Sequence, residues 1–414
     1  MINNEIIKEK VDQYYKDTIC WRNYLHENPE VSSKEIETAK YLKNICTNLG
    51  LIVEDVKNST GFTALLDTKK PGKTIGIRTD IDALPILESQ YNLKKKKEIV
   101  SKNKGVSHAC GHDSHMASLL TTAKILTDLK DQLGGKVYFI FEEAEETGAG
   151  IQAMVVHLKD KNLDFCYGNH QSPYLKVGEI SLIKGPAYAG CAGFDFDVIG
   201  KGGHGSRPDR CINPLIATTN IITALNLAWT NQLDQSKIVT FGLGAINGGS
   251  ASNVIPDTTN VKGTLRFFDD KAGEDALKVL KEVTRETAKA HKCEVKFNDY
   301  TKIVAYPTIN DPKFRDKVKE SLDEIFPKAF VDLQATYGSE SFFGYQRLCP
   351  SVYAGFGVGN EEEGMAAGAH TPEFDIDPRG MKYAVGLQVK VAIDFLEGVY
   401  DDWFKKYKRW FWWL

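Results

Sequence analysis

Hydrophobic positions in the first part of the chain alternate between helix spacing and strand spacing. Ser32 and Glu35 form a capping-box pattern, and the apolar positions that follow predict a helix over 36–49. A second apolar stripe with helix spacing opens at Asp113. Four strands are predicted in the same region, at 51–56, 63–66, 74–78 and 136–141. The last strand is almost continuously apolar, as in a sheet covered on both faces, so this region predicts an α/β domain.

The pattern changes from about Tyr188 onward. Strand-type runs are joined by two helices, of which the first is opened by Asn213 and Pro214. The runs lie at 191–199, 238–245, 261–268 and 294–298. The order β-α-β-β-α-β is typical of a split βαβ unit with an antiparallel sheet. Helix and strand spacing then alternate again, with a helix over 311–326, a strand over 351–356 and a last helix near 378–399.

These patterns predict a discontinuous domain with an insertion. The fold class is α/β: an α/β domain with a central, mainly parallel sheet, formed by 1–187 and 302–414. A smaller α+β domain, 188–301, interrupts it. The length of 414 residues agrees with two domains.

Composition excludes several classes of protein. The chain has 52 basic and 55 acidic side chains and a net charge of −3, so nothing indicates nucleic-acid binding. Eight cysteines without a CxxC pair do not form a disulfide scaffold or a zinc ribbon. The N-terminus lacks the apolar segment of a secretory signal, and no apolar run is long enough to span a membrane, which predicts a cytoplasmic protein. The lysine run 94–97 is interpreted as a solvated loop.

The densest group of candidate metal ligands is the segment 108–115, HACGHDSH. Cys110 and His112 are sulfur and imidazole donors that suit a d-block metal. Because residues two apart do not share a helix face, we expect both on the loop that precedes the helix, where open α/β sheets bind ligands. His108 and His115 are weaker candidates, since each could orient the loop or face solvent.

A second candidate is the acidic segment 142–148, directly after the apolar strand 136–141. Acidic residues at such a strand end repel one another unless cations neutralise them. One carboxylate as ligand and one as general base is the arrangement that metal-assisted hydrolysis requires, although an acidic surface loop is the alternative for the run alone. His170, His204 and His370 lie in predicted loops or at strand ends and are weak signals individually.

Taken together, eight ordered motifs resemble a known family. They are RTDIDALP at 78–85, HACGHD at 108–113, AEE at 144–146, HQSP at 170–173, KGGHGSRP at 201–208, SNVIP at 252–256, GSE at 338–340 and HTPEF at 370–374. Their order is similar to that of the metal-dependent amidohydrolases that include hippurate hydrolases, N-acyl-amino-acid deacylases and indole-acetyl-amino-acid hydrolases, relatives of aminoacylase and of co-catalytic carboxypeptidases. The resemblance extends from Trp21 to about Phe395 and implies a ferredoxin-like insertion that acts as lid and dimerisation domain.

The resemblance also implies site residues. It implies two divalent metal ions per subunit, zinc, manganese, cobalt or nickel, held by Cys110, His112, Glu146, His170 and His370, with Cys110 bridging as thiolate. Glu145 would be the general base and His204 would stabilise the oxyanion, reaching a neighbouring subunit's site in a homodimer. Asn253 and Arg266 would bind the substrate, while Asp80 and Asp82 would shape the site from behind the ligands.

The implied reaction is hydrolysis of the amide bond of an N-acyl amino acid. A dipeptidase or aminopeptidase with the same site is the alternative within this class, and a non-catalytic dimeric scaffold is the alternative outside it. Two departures stand out: Glu142-Glu143 replaces the Gln-Pro that commonly precedes AEE, and Ser341 replaces the Asp that commonly follows GSE. The aromatic, lysine-rich tail 403–414 resembles an interfacial membrane anchor, but packing or disorder is the favoured interpretation.

Overall fold

The computed structural model describes residues 2–401, so the aromatic tail 403–414 lies outside the described residues. The helices are α1 Asn4–Glu27, α2 Ile36–Asn48, α3 His112–Asp128, α4 Ile151–Leu158, α5 Pro214–Asn231, α6 Asp270–Ala290, α7 Pro312–Ile325 and α8 Gly380–Leu396. The strands are β1 Ile52–Asp55, β2 Phe62–Asp67, β3 Thr74–Asp80, β4 Lys136–Glu142, β5 Phe165–Lys176, β6 Ile180–Ser181, β7 Gly185–Tyr188, β8 Gly190–Ile199, β9 Gly203–His204, β10 Val239–Asn247, β11 Val254–Ile255, β12 Thr258–Phe267, β13 Glu294–Phe297, β14 Ile303–Ala305, β15 Thr308–Asn310, β16 Phe330–Val331 and β17 Ser351–Gly359.

The chain divides into two compact units. Within the described residues, the first unit contains those up to Gly185, 309–334 and those from Gly344 on, and the second contains 186–308 and 335–343. The short segment 335–343, which follows α7 in sequence, thus belongs with the inserted residues. The predicted inserted domain, 188–301, did not include this segment.

A mixed sheet forms the centre of the first unit, in the order β1-β2-β4-β3-β5-β17-β6-β16. Its middle strands β4, β3, β5 and β17 are parallel, which confirms the predicted α/β fold class. The helices α3 and α8 are buried almost all round, because α3 contacts strands of the sheet and also α1 and α8. Leu119 on α3, Phe139 on β4 and Val389 on α8 are fully buried core residues.

An antiparallel sheet in the order β10-β12-β8-β13 forms the centre of the second unit. Together with α5 and α6, these strands follow one another as β-α-β-β-α-β, as the sequence pattern predicts. Phe194, Leu225 and Leu280 pack in the core between the sheet and the two helices. Asn213 caps α5 by accepting the Leu215 N–H at 3.0 Å, and Pro214 is the first helical residue.

Two local predictions about helix starts were wrong. Ser32 does not cap α2; its hydroxyl donates to Asp82 Oδ2 at 2.7 Å, and Glu35 occupies the cap position without a side-chain cap bond. The helix α3 begins at His112 rather than at Asp113, because Gly111 adopts a left-handed conformation (φ 77°) and ends the loop there. Among the described residues, no helix is long and apolar enough to cross a membrane.

Candidate metal centre

The carboxyl ends of the parallel strands bring polar residues into one row. Asp80 on β3 is paired in register with Glu142 on β4. On β5, the register Arg78↔Gly168 places His170 level with Asp80. Because side chains of neighbouring strands at one level lie close together, this edge of the sheet forms the floor of the site. His170 lies inside β5, so its predicted position at a strand end or in a loop was wrong.

Cys110 and His112 enter the site on either side of Gly111. A Cβ at Gly111 would lie 2.6 Å from the Gln171 side chain, so only glycine fits this turn. His112 is the first residue of α3, and its Nδ1 lies 2.9 Å from the Asp82 carbonyl oxygen. Because this carbonyl can only accept, Nδ1 carries the proton and Nε2 is the ring atom presented to the site.

The acidic turn after β4 carries Glu145 and Glu146 in a short 3-10 helix, Glu145–Thr147. Ala144 precedes it with left-handed backbone (φ 52°). The Glu146 N–H donates to Asp82 Oδ2 at 3.1 Å, so Asp82 connects the turn to the loop after β3. The two glutamates therefore leave a strand end whose backbone geometry is fixed.

The two remaining histidines approach from separate elements. His170 donates from Nδ1 to the Gln171 carbonyl at 2.6 Å, and its Nε2 lies 3.4 Å from Cys110 Sγ. His370 has left-handed backbone (φ 65°), and its N–H donates to the Ala109 carbonyl at 2.8 Å. Its Nε2 lies 3.4 Å from Glu146 Oε2.

The structure thus brings the sequence-predicted ligands and base together in overlapping groups whose donor atoms lie within 4.8 Å of one another. The groups are Cys110, His112 and His170; Cys110, Glu146 and His370; and His112, Glu145 and Glu146. The first two share the sulfur of Cys110. His112 Nε2 and Glu146 Oε1 are buried without a hydrogen-bond partner, although buried polar atoms are normally satisfied. Sulfur, imidazole and carboxylate donors with such unsatisfied atoms fit divalent d-block cations.

His115 also approaches this cluster, with Asp80 and His112. Its Nδ1 donates to Asp80 Oδ1 at 2.7 Å and its Nε2 accepts the Gln171 N–H at 2.9 Å. Both ring nitrogens are therefore used, which makes His115 a support for the strand floor. His108 is buried with neither ring nitrogen hydrogen-bonded, and burial lowers its pKa to about 4.

Burial and charge act in opposite directions on the acidic groups of the site. Burial alone would raise the pKa of Asp80, but His112, His115 and Arg78 hold it well below its usual range. Burial would likewise raise the pKa of Glu146, but the bond from His370 and the charge of His112 lower it. Burial raises the pKa of the Cys110 thiol, with the neighbouring glutamates acting in the same direction. The site is therefore rich in anionic carboxylates.

The side chains of the acidic departures Glu142 and Glu143 are both hydrogen-bonded to other residues of the chain. The Glu142 carboxylate accepts from Arg78 Nε at 2.9 Å and from the Tyr345 hydroxyl at 2.6 Å, and all three residues are buried. Glu143 Oε2 accepts the N–H of Thr60 at 2.7 Å and lies 2.8 Å from its hydroxyl. Neither Glu142 nor Glu143 is a member of the ligand groups described above.

The candidate residues outside the first unit lie in the second. His204, on β9, is exposed, and Val254 of β11 is its register partner. The Ser206 N–H donates to His204 Nδ1 at 3.2 Å, so Nε2 carries the ring proton. Asn253 is also exposed, and its carbonyl accepts the N–H of Gly205.

Arg266, on β12, is held by its own unit. Its Nε donates to the Tyr337 carbonyl at 3.1 Å, and its Nη1 lies 2.8 Å from Cys191 Sγ. Ser341 is buried, and its hydroxyl lies 3.4 Å from Glu340 Oε1.

One element near the site was misread from the sequence. Lys97, in the run taken for a solvated loop, is buried; its Nζ donates to Glu88 Oε1 at 2.9 Å and to the Pro372 carbonyl at 3.0 Å. The N–H of Ser89 donates to the same carbonyl, so this loop holds the chain two residues after His370. Glu88 belongs to none of the sequence motifs described above, so the sequence did not indicate its role. The other lysines of the run are at least partly exposed.

Three comparisons with known proteins agree. Residues 76–393 match peptidase family M20/M25/M40. The chain is 32% identical to Thermostable carboxypeptidase 2 of Saccharolobus solfataricus over 94% of the chain and 98% of that relative. It is 32% identical to the N-acetyl-L-cysteine deacetylase of Bacillus subtilis over 87% of the chain and 84% of that relative. The crystal structure of the Bacillus subtilis YXEP protein, a dinuclear metal binding peptidase from the M20 family, is similar with a TM-score of 0.79 at 28% identity, over 93% and 99% of the two chains.

Proposed function

The chain belongs to peptidase family M20/M25/M40 and is a metal-dependent hydrolase, and from this premise we propose that it hydrolyses the amide bond of N-acyl amino acids. The observation that carries the proposal is the pair of donor groups that share Cys110 Sγ and lie beside Glu145. The name of the deacetylase relative supports an acyl amino acid as substrate. The products are a carboxylic acid and a free amino acid.

In the proposed site, Cys110, His112, Glu146, His170 and His370 hold two divalent cations, with zinc or manganese favoured and cobalt or nickel as alternatives. When bound, such cations supply a Lewis acid for the scissile carbonyl and lower the pKa of a water molecule. The backbone carbonyls of Asp82 and Gln171 orient the imidazoles of His112 and His170 by accepting their Nδ1 protons, which leaves Nε2 for ligation. The ligand positions are therefore set by bonds within the chain.

Glu145 is the proposed general base. Its carboxylate takes a proton from the attacking water oxygen and returns it to the amide nitrogen as the C–N bond breaks, so the reaction consumes one water. His204, whose proton lies on Nε2, is proposed to reach the site of a neighbouring subunit in a homodimer and to donate to the oxyanion there, a type of contact often worth about 3 kcal/mol. Asn253 and Arg266 are proposed to bind the carbonyl or carboxylate side of the substrate.

The test is turnover of a panel of N-acetyl and N-benzoyl amino acids, with several dipeptides, by protein whose metal content has been measured. We expect E145Q to keep the bound metal and to lose hydrolysis by about 10²–10⁴-fold, the usual contribution of a general base. The matched variant E145D keeps a carboxylate and is expected to retain part of the activity. Wild-type turnover in E145Q would reject the assigned base.

A second candidate function is cleavage of peptides, favoured by the carboxypeptidase name of a relative that aligns over almost its full length. Faster cleavage of dipeptides than of acyl amino acids would select this alternative. Absence of turnover on the whole panel by metal-loaded protein would favour the non-catalytic scaffold.

We further propose that the protein is a cytoplasmic homodimer that associates through the inserted domain, 188–301. Exposed apolar side chains of the second unit support an interface there: Ile216 and Leu227 on α5 and Leu243 and Ile246 on β10. Analytical ultracentrifugation of the wild type and of the I216K/L227K double variant tests it. A monomeric wild type would contradict the proposal.

A further inference from the structure

The turn that carries Glu145 is anchored to a residue far away in sequence. The Ala144 N–H donates to Glu35 Oε1 at 2.9 Å, and the same oxygen accepts the Ser33 N–H at 2.9 Å. Ala144 adopts the left-handed conformation, which is unfavourable for a residue with a Cβ, so an external bond is needed to hold it. Glu35 is fully buried and supplies that bond.

The other oxygen of Glu35 shares a hydroxyl group with a second carboxylate. Thr60 Oγ1 lies 2.8 Å from Glu35 Oε2 and 2.8 Å from Glu143 Oε2. A hydroxyl carries one proton and can donate to only one of these two oxygens. Among the described residues, no lysine, arginine or histidine forms an ion pair with either carboxylate. The second short contact therefore requires one more proton in the bridge.

We propose that Glu35 is a neutral carboxylic acid and acts as a positioning residue for Glu145. Its carbonyl oxygen Oε1 accepts the N–H groups of Ser33 and Ala144, and its Oε2–H donates to Thr60 Oγ1. The Thr60 hydroxyl then donates to Glu143, which remains a carboxylate. This assignment satisfies every hydrogen-bonding group of the bridge and leaves one buried negative charge instead of two.

The proton belongs on Glu35 rather than on Glu143 for two reasons. Glu35 is fully buried, whereas Glu143 retains slight exposure, and its Oε2 also accepts the Thr60 N–H at 2.7 Å, so that oxygen is already an acceptor in the bridge. Burial also raises the pKa of Glu35, and the charge of Asp82 acts in the same direction, although its hydrogen bonds oppose this. Glu143 is one of the acidic departures of this chain, so the bridge depends on this chain's own residues.

The inference rests on the proposed role of Glu145, and paired variants test it. E35Q places an amide oxygen and an N–H₂ where a neutral acid has its carbonyl and O–H, whereas E35A removes both. We expect E35Q to keep kcat close to the wild-type value and E35A to lower kcat about 100-fold, as a misplaced catalytic group does, with unchanged KM and metal content. E30Q is the matched control, because the Glu30 carboxylate accepts the Thr38 N–H and not a bond from the Glu145 turn.

A second pair covers the case in which E35A does not fold. T60S keeps the bridging hydroxyl and T60V replaces it with a methyl group, so we expect T60V alone to lower kcat. Infrared difference spectra of wild type against E35Q at pH 7 give a readout independent of turnover, since a neutral Glu35 has a carboxylic-acid C=O band that the variant lacks.

Loss of kcat in E35Q equal to that in E35A or T60V, wild-type kcat in a folded E35A, or absence of the infrared band would each overturn the inference. A wild-type protein without hydrolytic activity would instead reject the proposed function, and the infrared band would still report the protonation of Glu35.

Discussion

The buried carboxylate of Glu88 gives a quantitative prediction for stability. Its Oε1 lies 3.0 Å from His26 Nε2 and 2.9 Å from Lys97 Nζ, and Oε2 accepts the Ser101 N–H at 2.6 Å. Burial would raise the pKa of Glu88, but these bonds and the charge of His26 lower it from 4.5 to about 2. The difference corresponds to about 3 kcal/mol of folding free energy.

The sign follows from proton binding. Between about pH 4.5 and pH 2 the unfolded chain protonates Glu88 while the folded protein keeps it ionised. The contribution is therefore complete above pH 4.5 and is lost as the pH falls toward 2. We expect the wild type to exceed E88Q in free energy of unfolding by about 3 kcal/mol at pH 7 and by about half that at pH 3.

Urea unfolding of chelator-treated wild type and E88Q at both pH values measures this difference, because titrating groups that do not contact Glu88 cancel between the two proteins. His26 does contact Glu88, and the bond between them raises its pKa, so its titration forms part of the measured difference. The matched control is E363Q. It removes an exposed glutamate that is paired with Lys95, a residue of the loop that contains Lys97, and we expect its free energy of unfolding to differ little from that of the wild type at either pH. A gap between wild type and E88Q that is equal at pH 7 and pH 3 would refute the reasoning.

Two further predictions concern buried cations. R78L leaves the Glu142 carboxylate buried without its guanidinium partner, so we expect the free energy of unfolding to fall by about 3–5 kcal/mol. We expect R78K to lose less stability. A thermal midpoint of R78L equal to that of the wild type would contradict this prediction. K97M removes the bond to the Pro372 carbonyl, which lies in the loop that follows His370. Because residues that orient a metal ligand contribute to metal affinity, we expect the zinc affinity measured by calorimetry to fall at least about 10-fold. K96M, on an exposed neighbour, is the control, and equal zinc affinity in both variants would exclude the role of Lys97.

Much of the fold follows from hydrophobic spacing. The apolar run 136–141 became β4, and the β-α-β-β-α-β order of the inserted residues was confirmed, because each element buries one regular face or is buried throughout. α1 was not predicted although Ile7, Val11, Thr18, Arg22 and Leu25 repeat on one face. Its stripe includes a threonine and an arginine, which a purely apolar pattern does not register.

The candidate site was predictable in composition but not in its supports. Motifs place Cys110, His112 and His370 in the chain, and the structure brings them together in groups of donor atoms. Glu35 shows why the rest could not be predicted: it matches a capping-box residue in sequence, but its carboxyl group binds Thr60 and Ala144. Local patterns report contacts a few residues apart, whereas these contacts join residues 25 and 109 positions apart.

The anchoring of His370 to the Ala109 carbonyl has a consequence for biosynthesis. Cys110 leaves the ribosome about 260 residues before His370, which at about 5–20 residues per second is a delay of about 13–50 s. Throughout that interval the nascent thiol lacks its last neighbour and depends on the reducing power of its surroundings. Thiol labelling of stalled ribosome complexes that end before and after residue 370 would measure this window, and equal labelling of Cys110 in both would show that the histidine gives it no protection.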